Sequence, residues 1–459
     1  WLKPCWLMRV VCGRLAQQKR GQLVASLMAS RWQRARGQGA AVGGASAEQS
    51  AQGQGPKDKG NAKSKGKGHN RDGGSKPTDD PSFVVLSEGC TLTNAETGNS
   101  YIVERYVASG TFSRVFRVKR KHPDNTQAEG DAFAAKVMRA HDAYIQYSSD
   151  AAKEAELLQR LEAAQLERGQ ETLTMRCLEA FSVKDERGED YQCLILEWLD
   201  LSLFDLIQAT SGKGRRGAGL HLSMVRVLLA QLLKQLEILH QLDCTHTDIK
   251  HKNCCLAHGD HYLVEGRGGT KSPILTEPLV KIIDYGNAVF EGEPKTHPIH
   301  TKQFRAPEVL LNVKGSWSMP SDMWTLGVTT AYLLTGELLF NTHDNNELIQ
   351  SMAQVLGPFP NALLEEAGDA RMRRTAESAS SWQAGWPTEL PARLGLDRTQ
   401  RGSPEADCLS LVQAMLAISP QERIKPSTAL KHPFIANELP AVPSQGSAVI
   451  QKLRSSTQA

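Results

Sequence analysis

Eight consecutive residues, His246 to Asn253, contain an acid, a lysine and an amide within six positions. The three are Asp248, Lys250 and Asn253, and they follow a long stretch with apolar residues at helical spacing. A carboxylate can accept a proton, an ammonium can neutralise charge on a phosphate, and an amide oxygen can bind a hard cation. Charged loops of this composition are also commonly just solvated, so the rest of the chain must decide between the two interpretations.

A second candidate is the stretch from Ala108 to Val115, A-S-G-T-F-S-R-V, which is compared with the phosphate-binding pattern G-x-G-x-x-G-x-V. Gly110 has the central glycine position, and Ala108 and Ser113 replace the outer glycines. The pattern brings backbone amides close to phosphate oxygens with no side chain between them, which Gly110 allows and small side chains tolerate. Taken alone, the stretch is a weak motif, and an ordinary hairpin turn is the favoured explanation.

Lys136 closes an apolar strand and needs a partner, because an unpaired buried ammonium is costly. The predicted helix at 151–161 offers Glu154, which shares a face with apolar residues of that helix. Glu156 is the competing partner. A pair between Lys136 and Glu154 would hold the lysine against the α- and β-phosphates of a nucleotide.

Two further stretches could complete such a site. Asp284 ends the apolar run V-K-I-I-D and precedes Tyr285 and Gly286, so it is a candidate magnesium ligand beside Asn253. The strand at 191–197 continues into Leu196-Glu197-Trp198-Leu199, where a hinge between two lobes would offer backbone groups to an adenine edge.

The elements that must position these residues change character near residue 200. Short runs rich in Val, Phe and Tyr predict strands at 101–107, 115–119, 132–138, 175–183 and 191–197. Helical spacing of leucine and valine then predicts a helix over 222–242, and the apolar run 325–336 predicts a buried helix. Residues 256–280 are predicted to form a loop or hairpin insertion.

Composition excludes several classes of protein. The 459 residues are 40% hydrophobic and 23% charged, as in an ordinary soluble globular protein, and no apolar run is long enough to cross a bilayer. Residues 1–80 contribute +10 and the remainder −6 to the net charge of +4, so the charge does not indicate a nucleic-acid-binding fold. Nine scattered cysteines without a C-x-x-C pair favour free thiols in a reducing compartment.

The first 80 residues form a basic tail of low complexity. Residues 1–47 contain no acid and resemble an organellar transit peptide faintly, but translated upstream sequence with a start at Met28 explains them equally well. Residues 37–80 offer almost nothing to bury and are predicted to be disordered. The lysine cluster from Lys57 to Lys67 is typical of a nuclear-localisation signal or a nucleic-acid-contacting arm, and also of a solvated linker.

Taken in order, the motifs resemble those of eukaryotic protein kinases from about residue 101 to 434. H-x-D-x-K-x-x-N at 246–253 is followed by D-Y-G at 284–286 and F-R-A-P-E at 304–308. Asp322 and Arg423 match two structural positions of the same family, where the first caps the catalytic loop and the second pairs with Glu308. One such fragment is unremarkable, but a whole ordered series is not plausibly a coincidence.

Within that family the chain is most similar to the LAMMER (Cdc-like) kinases, with some features of SR-protein kinases. Thr247 replaces the usual arginine, and T-K-Q-F-R-A-P-E at 301–308 resembles T-R-H-Y-R-A-P-E. The LAMMER signature itself is degenerate at 347–357, and His251-Lys252 replaces the usual Pro-Glu of K-P-E-N.

The resemblance implies an α+β, bilobal protein-kinase-like fold. A small, mainly β N-lobe with one helix is expected at 81–199 and a larger, mainly α C-lobe at 200–437. A disordered basic tail at 1–80 and a flexible tail at 438–459 would flank them.

The resemblance also implies ATP and Mg²⁺ as cofactors and gives roles to the candidate residues. The catalytic set is Asp248, Lys250, Lys136 and Glu154. Nucleotide contacts are expected from Ala108, Gly110, Val115, Ala134, Lys136, Glu197, Leu199, Cys255 and Asp284. The magnesium ligands are expected to be Asn253 and Asp284.

Expected substrates are serine and threonine hydroxyls of proteins, with tyrosine as an open alternative. Arg/Ser-rich splicing factors are expected among them, in the nucleus or in nucleus and cytoplasm. No membrane partner is expected, and nucleic acid could be contacted only through the basic tail. Without an arginine at Thr247, activity is predicted not to require phosphorylation of the activation loop, where Thr296 and Thr301 are the candidate phosphosites. The rival interpretation is a pseudokinase scaffold, motivated by the eroded glycine loop and by His251-Lys252. A second rival, an RNA-binding tail regulated by the kinase domain, has no aromatic RNA-binding motif to support it.

Overall fold

The computed structural model describes residues 80, 82–121, 132–139, 151–169, 172–210, 219–266, 270–295, 299–313, 317–383, 388–396 and 400–437. Contacts divide the chain into two units, 1–71 and 72–459, and every described residue belongs to the second. The predictions for the tail at 1–79 and for residues 438–459 therefore lie outside the described residues.

The first part of the described chain forms a six-stranded antiparallel sheet. Its strands are β1 (Thr91–Thr93), β2 (Ser100–Ser109), β3 (Ser113–Lys121), β4 (Ala132–Met138), β5 (Cys177–Lys184) and β6 (Asp190–Glu197). They lie in the order β1-β2-β3-β4-β6-β5. In β3, Phe116 and Val118 face the core while Lys119 faces solvent, which is the alternation that a half-buried strand requires. The five strands predicted from sequence are confirmed, and β1 was too short to predict.

Helix α1 (Ala151–Leu166) belongs to this lobe and packs against β5 and β6. Its buried face contains Leu157, Leu158 and Leu161 at helical spacing, and Glu154 lies on that face too. The sheet and α1 together hold Lys136 and Glu154 opposite one another.

The second part is mainly helical. It begins with β7 (Leu201–Ser202), α2 (Leu203–Thr210), α3 (Leu222–Gln241), β8 (Cys244–Thr245), β9 (Cys254–Leu256), β10 (His261–Glu265), β11 (Lys271–Leu275), β12 (Val280–Ile282) and β13 (Val289–Phe290). The helices that follow are α4 (Pro307–Leu310), α5 (Met319–Thr335), α6 (Asn345–Leu356), α7 (Asn361–Glu365), α8 (Ala370–Gln383), α9 (Leu390–Arg393), α10 (Pro404–Met415), α11 (Pro426–Ala429) and α12 (Pro433–Ala436). Short 3₁₀ turns lie at 251–253, 285–287 and 302–304.

Two long helices carry the core of this lobe. The leucine stripe of α3 is fully buried, and α5 is buried on every side from Ser321 to Leu334. The helix predicted within the apolar run 325–336 is thus a central helix of the lobe. No helix in the described part of the chain is both long and apolar enough to span a bilayer. The seven cysteines within the described ranges are free thiols, as their spacing predicts.

Small strands bring the loop residues together. In the predicted insertion at 256–280, β10 and β11 pair as a hairpin. Strand β12 pairs antiparallel with β9, with Ile282 opposite Cys254, and Ile283 donates a backbone hydrogen bond to Asn253 at 2.9 Å. Asn253 and Asp284 therefore lie at the ends of adjacent strands.

Candidate active site

Lys136 lies at the centre of a buried ionic cluster between the two lobes. Its Nζ is 2.8 Å from both carboxylate oxygens of Glu154 and 2.7 Å from Oδ1 of Asp284. Glu154 is therefore the partner of Lys136, while Glu156 on the same helix is exposed. The pair that sequence reasoning favoured is made, and it links the sheet, α1 and the D-Y-G turn.

The opposite charges in this cluster offset the free-energy cost of removing one another from water. Burial lowers the pKa of Lys136, but the carboxylates of Asp284 and Glu154 outweigh it and raise that pKa above its ordinary value. The Lys136 ammonium in turn lowers the pKa of Asp284, whereas burial raises the pKa of Glu154. Lys136 is thus a permanent cation at neutral pH, as a phosphate-binding group must be.

Asp322, at the start of α5, fixes the backbone of the catalytic loop. Its carboxylate accepts hydrogen bonds from the amides of His246 at 2.8 Å and Thr247 at 3.0 Å, and lies 3.0 Å from Nε2 of His240. Burial alone would raise the pKa of Asp322, but these hydrogen bonds lower it. The predicted capping of the loop by Asp322 is confirmed.

Thr247 has a φ of 74°, in the left-handed region that β-branched residues rarely adopt. Besides its bond to Asp322, its hydroxyl donates to the carbonyl oxygen of Asn287 at 3.0 Å. Its own carbonyl accepts the amide of His300 at 3.2 Å. Thr247 therefore ties the catalytic loop directly to the D-Y-G turn and to the segment that follows.

Both carboxylate oxygens of Asp248 are held in place. Oδ1 accepts the amide and hydroxyl of Thr301 at 3.1 and 3.0 Å, and Oδ2 accepts Nζ of Lys250 at 2.6 Å and Nδ2 of Asn253 at 3.2 Å. Lys250 also donates to the Thr301 hydroxyl at 2.8 Å. The structure brings together the acid, the lysine and the amide predicted from sequence. Thr301 is a fourth member, which the sequence indicated as a motif residue and a candidate phosphosite but not as a contact of Asp248.

The residues at the end of β9 and β12 fit a magnesium ion. Lys136 donates to Oδ1 of Asp284, and the Asp284 side chain is 44% exposed. The carboxylate is therefore accessible to a cation. The amide nitrogen of Asn253 donates to the backbone oxygen of Asp248 at 2.9 Å, which turns the amide oxygen the other way. One carboxylate and one amide oxygen are the hard donors that Mg²⁺ takes while keeping several waters.

Four of the predicted nucleotide contacts lie on strands of the two lobes. Ala108 and Val115 are directly paired on β2 and β3, and Ala134 on β4 is paired with Leu196 on β6. Cys255 lies on β9, and burial raises the pKa of its thiol to about 12. Such a thiol is protonated at neutral pH and serves as a small apolar group.

Gly110 lies at the tip of the turn between β2 and β3, and its amide donates to the carbonyl of Ser113 at 2.8 Å. A Cβ added at Gly110 would meet only that carbonyl, at 3.8 Å, so the chain itself does not demand a glycine here. The contact of this turn with phosphate oxygens therefore stays a prediction from the sequence.

Sequence analysis missed a second buried lysine pair. Nζ of Lys281, in the middle of β12, is 2.6 Å from Oε1 of Glu197, and the backbone amide of Arg176 donates to the same oxygen at 2.7 Å. The Glu197 carboxylate is thus engaged, so backbone groups at 197–199 remain the candidates for contacting an adenine. A lysine within a buried strand needs a partner, and this argument, applied to Lys136, would also have found Lys281.

The structure accounts for His251 and Lys252. The His251 ring is buried among three aromatic rings, with centroid distances of 4.2 Å to Tyr332, 5.1 Å to Phe204 and 5.2 Å to Phe304. Nζ of Lys252 lies 4.6 Å above the Phe204 ring. The two residues pack the turn at 251–253 against α2 and α5, which a proline and a glutamate could not do in this way.

Replacing His251 with leucine is expected to make the protein less sensitive to acid. Burial lowers the pKa of His251 from 6.5 to about 3, with smaller contributions from Lys252 and Lys250. The unfolded chain therefore takes up the proton first, and stability falls as the pH drops below 6.5, by about 1.4 kcal/mol per unit down to about 3. Urea unfolding at pH 7 and pH 5 measures the difference. Phe204→Leu, which weakens the same packing without removing an ionisable group, should keep the wild-type pH dependence; equal slopes for His251→Leu and the wild type would contradict the assignment.

A two-lobed fold with Lys136, Asp248, Asn253 and Asp284 facing one cleft defines a nucleotide-dependent phosphotransferase site. The family described as "Protein kinase domain" matches residues 101–435. The chain belongs to the protein kinase family. A solved crystal structure of a kinase domain superposes with a TM-score of 0.60 at 27% identity, covering 78% of this chain and all of the other.

The curated relatives narrow the class. The chain is 30% identical over 276 residues to serine/threonine-protein kinase AFC2 of Arabidopsis thaliana. The aligned region covers 57% of this chain and 62% of the length of AFC2. The chain is 29% identical over 379 residues to AFC1 of the same plant, covering 78% and 74%. It is also 29% identical over 266 residues to dual specificity protein kinase CLK2 of Homo sapiens, covering 57% and 51%. These are LAMMER-type kinases, so the resemblance drawn from sequence is confirmed.

Proposed function

We propose that the protein is an ATP- and magnesium-dependent protein kinase that transfers a γ-phosphoryl group to serine and threonine hydroxyls. The observation that supports this best is the contact of Lys136 with Glu154 and Asp284 at once, at 2.7–2.8 Å. In kinases the lysine–glutamate pair and the metal-binding aspartate must both be in place for transfer. Here they are in place together, which favours an enzyme over a scaffold.

In the proposed mechanism, each residue acts through the contacts described above. Lys136, kept in position by Glu154, exchanges its contact with Asp284 for the α- and β-phosphates. Asn253 and Asp284 would hold Mg²⁺, which neutralises phosphate charge when bound. Asp248 orients the substrate hydroxyl and accepts its proton, while Lys250 neutralises charge that develops on the transferred group. Positioning and electrostatics supply most of the rate, as in phosphoryl transfer generally.

The same proposal extends to substrates. Relatives are named as serine/threonine and dual specificity kinases, and the LAMMER resemblance favours Arg/Ser-rich splicing factors as substrates. The test is incubation with labelled ATP and magnesium, with an Arg/Ser-repeat peptide, a tyrosine peptide and a general basic protein offered separately. Transfer to the general substrate alone would exclude the splicing-factor assignment, and transfer to none would favour the scaffold.

We also place the protein in the nucleus, on the strength of the LAMMER resemblance and the lysine cluster from Lys57 to Lys67. A fluorescent fusion of the full chain should lose nuclear accumulation when the lysines of that cluster are replaced by glutamine. Accumulation in an organelle would favour the transit-peptide interpretation of residues 1–47 instead.

The enzyme is expected to be active without phosphate on its activation segment. Thr247 already ties the catalytic loop to the D-Y-G turn, and a fixed carboxylate, Glu293, accepts Nζ of Lys153 on α1 at 2.7 Å. Enzyme that mass spectrometry shows to be free of phosphate should therefore phosphorylate peptide at full rate. Thr296, the other candidate phosphosite besides Thr301, lies outside the described residues.

Glu293→Gln should lower kcat by about 1.4- to five-fold, since exposed ion pairs contribute roughly 0.2–1 kcal/mol. Glu291→Gln is the matched control, because Glu291 pairs with Lys295, four residues along the chain, at 3.3 Å. A phosphate-free enzyme that is inert until phosphorylated would refute the proposal.

A further inference from the structure

A short segment before the family-matched region crosses the end of the sheet that carries the Gly110 turn. We call Asp80 together with residues 82–87 the strap; the match to the kinase family begins only at residue 101. Four features lie at this end of the sheet: the start of β3, the end of β4, the turn at 110–112, and the turn at 185–189 between β5 and β6. The strap contacts three of these features.

Phe83 is the centre of the strap. Phe83 is 6% exposed, and two guanidinium groups pack over its ring, with Cζ of Arg114 at 4.8 Å and Cζ of Arg139 at 4.5 Å from the ring centroid. Arg114 also donates to the carbonyl of Val84 at 2.7 Å. Arg139 forms an ion pair with Asp80. Stacked guanidinium groups of this kind fix both the ring and the arginines, because a planar cation loses little freedom on stacking.

A third arginine holds the other side of the strap. Nη2 of Arg187 donates to the carbonyl of Phe83 at 2.8 Å and is paired with Asp185 at 2.7 Å. Asp185 also accepts the amide of Val85 at 3.3 Å. The strap is thus anchored to the β5–β6 turn independently of its contacts with Arg139.

Arg139 connects the strap to the phosphate-binding turn. Its backbone amide donates to the carbonyl of Phe112 at 2.8 Å, and Nη1 donates to the carbonyl of Thr111 at 3.3 Å. Arg139 also follows Lys136 by three residues, at the end of the same strand. The hydrogen bond from Gly110 to Ser113 lies within the turn and closes the hairpin. The two bonds from Arg139, in contrast, connect the turn to the end of β4.

We propose that the strap is part of the nucleotide site: Phe83 and Asp80 hold Arg139, and Arg139 holds the turn at 110–112 where its amides meet the phosphates of ATP. Phe83 and Asp80 are positioning residues, since they act through Arg139. A turn that is already ordered loses less conformational entropy when it binds a ligand. Because the turn meets the phosphates, the strap raises the affinity for the phosphates but not for the base. This proposal rests on the proposed ATP-dependent function of the same cleft.

Direct binding of two ligands tests the strap. Phe83→Ala in the full chain is expected to weaken binding of a magnesium complex of non-hydrolysable ATP analogue about five- to ten-fold, and to leave the affinity for adenosine unchanged. In steady-state assays, KM for ATP should rise by the same factor while KM for peptide stays constant. Phe83→Tyr keeps the aromatic face and should restore wild-type binding. Val85→Ala is the matched control, since Val85 is 40% exposed in the same strap.

Three outcomes would overturn the strap proposal: equal weakening of both ligands, a lower melting temperature with both affinities unchanged, or no rescue by Phe83→Tyr. Arg139→Lys keeps a cation for Asp80 but loses the planar stack, and it answers the same question if Phe83→Ala does not fold. Because binding is measured without turnover, a wild-type protein that binds the analogue but transfers no phosphate would refute the proposed function alone. A wild-type protein that binds no nucleotide would refute both.

Discussion

Replacing Asp248 with asparagine is expected to lower kcat by about 10²–10⁴-fold, the contribution of a positioned proton acceptor. Four donors hold the two oxygens of this carboxylate, from Thr301, Lys250 and Asn253. An asparagine amide is not a base and would also turn an NH₂ group towards at least one of these donors. The loss should appear in kcat. KM for ATP should change little, because among the described residues the Asp248 carboxylate bonds to Thr301, Lys250 and Asn253 and to none of the predicted nucleotide contacts.

The measurement is steady-state phosphorylation of a peptide, with the melting temperature and analogue binding recorded on the same samples. Asp190→Asn is the matched control, since Asp190 pairs with Lys184 where both side chains are two-thirds exposed. It should keep wild-type rates. If Asp248→Asn retained kcat within a few-fold of the wild type, Asp248 would not be the proton acceptor and the mechanism above would be wrong.

Sequence reasoning predicted the catalytic loop because its chemistry is local. Asp248, Lys250 and Asn253 lie within six positions, so a tight turn after a helix is enough to bring them together. Lys136 and Glu154 are 18 residues apart and still follow from a simple rule, namely that a buried lysine requires a carboxylate on the next amphipathic helix. The fold class followed from the resemblance of the ordered motifs to protein kinases, and the predicted strands before residue 200 and helices after it agree with that fold.

The contacts that escaped prediction join segments that are remote in sequence and carry no periodic signal. Lys281 and Glu197 are 84 residues apart, and Thr301 and Asp248 are 53 apart. Only the pairing of β12 with β9 and the path of the chain after β13 bring them into reach.

Packing, rather than chemistry, explains His251. His251 stands where most kinases have a proline, and the sequence alone does not explain this difference. The three rings around it, Phe204, Phe304 and Tyr332, come from three separate elements. The substitution that motivated a pseudokinase interpretation is therefore accommodated next to an assembled catalytic loop, and it does not disturb the bonds of Asp248.

Replacing Arg423 with methionine is expected to cost about 3–5 kcal/mol of unfolding free energy. Arg423 and Glu308 form a two-pronged ion pair with both N–O distances at 2.6 Å, and their side chains are 0% and 1% exposed. The guanidinium also donates to the carbonyls of Ala417, Pro320 and Ile418 at 2.8, 3.2 and 3.0 Å. Its removal would leave a carboxylate buried without a counter-charge, which is far costlier than the loss of the pair itself.

A double variant separates the two costs. Glu308→Leu combined with Arg423→Met removes the buried charge, so it should be more stable than Arg423→Met alone, although three carbonyls still lose their donor. Arg373→Met is the surface control: Arg373 pairs with Glu377 at 2.8 Å with both side chains more than 40% exposed, and its loss should cost less than about 1 kcal/mol. Denaturant unfolding of the four proteins gives the comparison. A cost for Arg423→Met no larger than that for Arg373→Met would show that Glu308 takes up a proton or reaches water. In that case the pair would not anchor the segment from Thr301 to α4 against α5, and the position of Thr301 beside Asp248 would need another support.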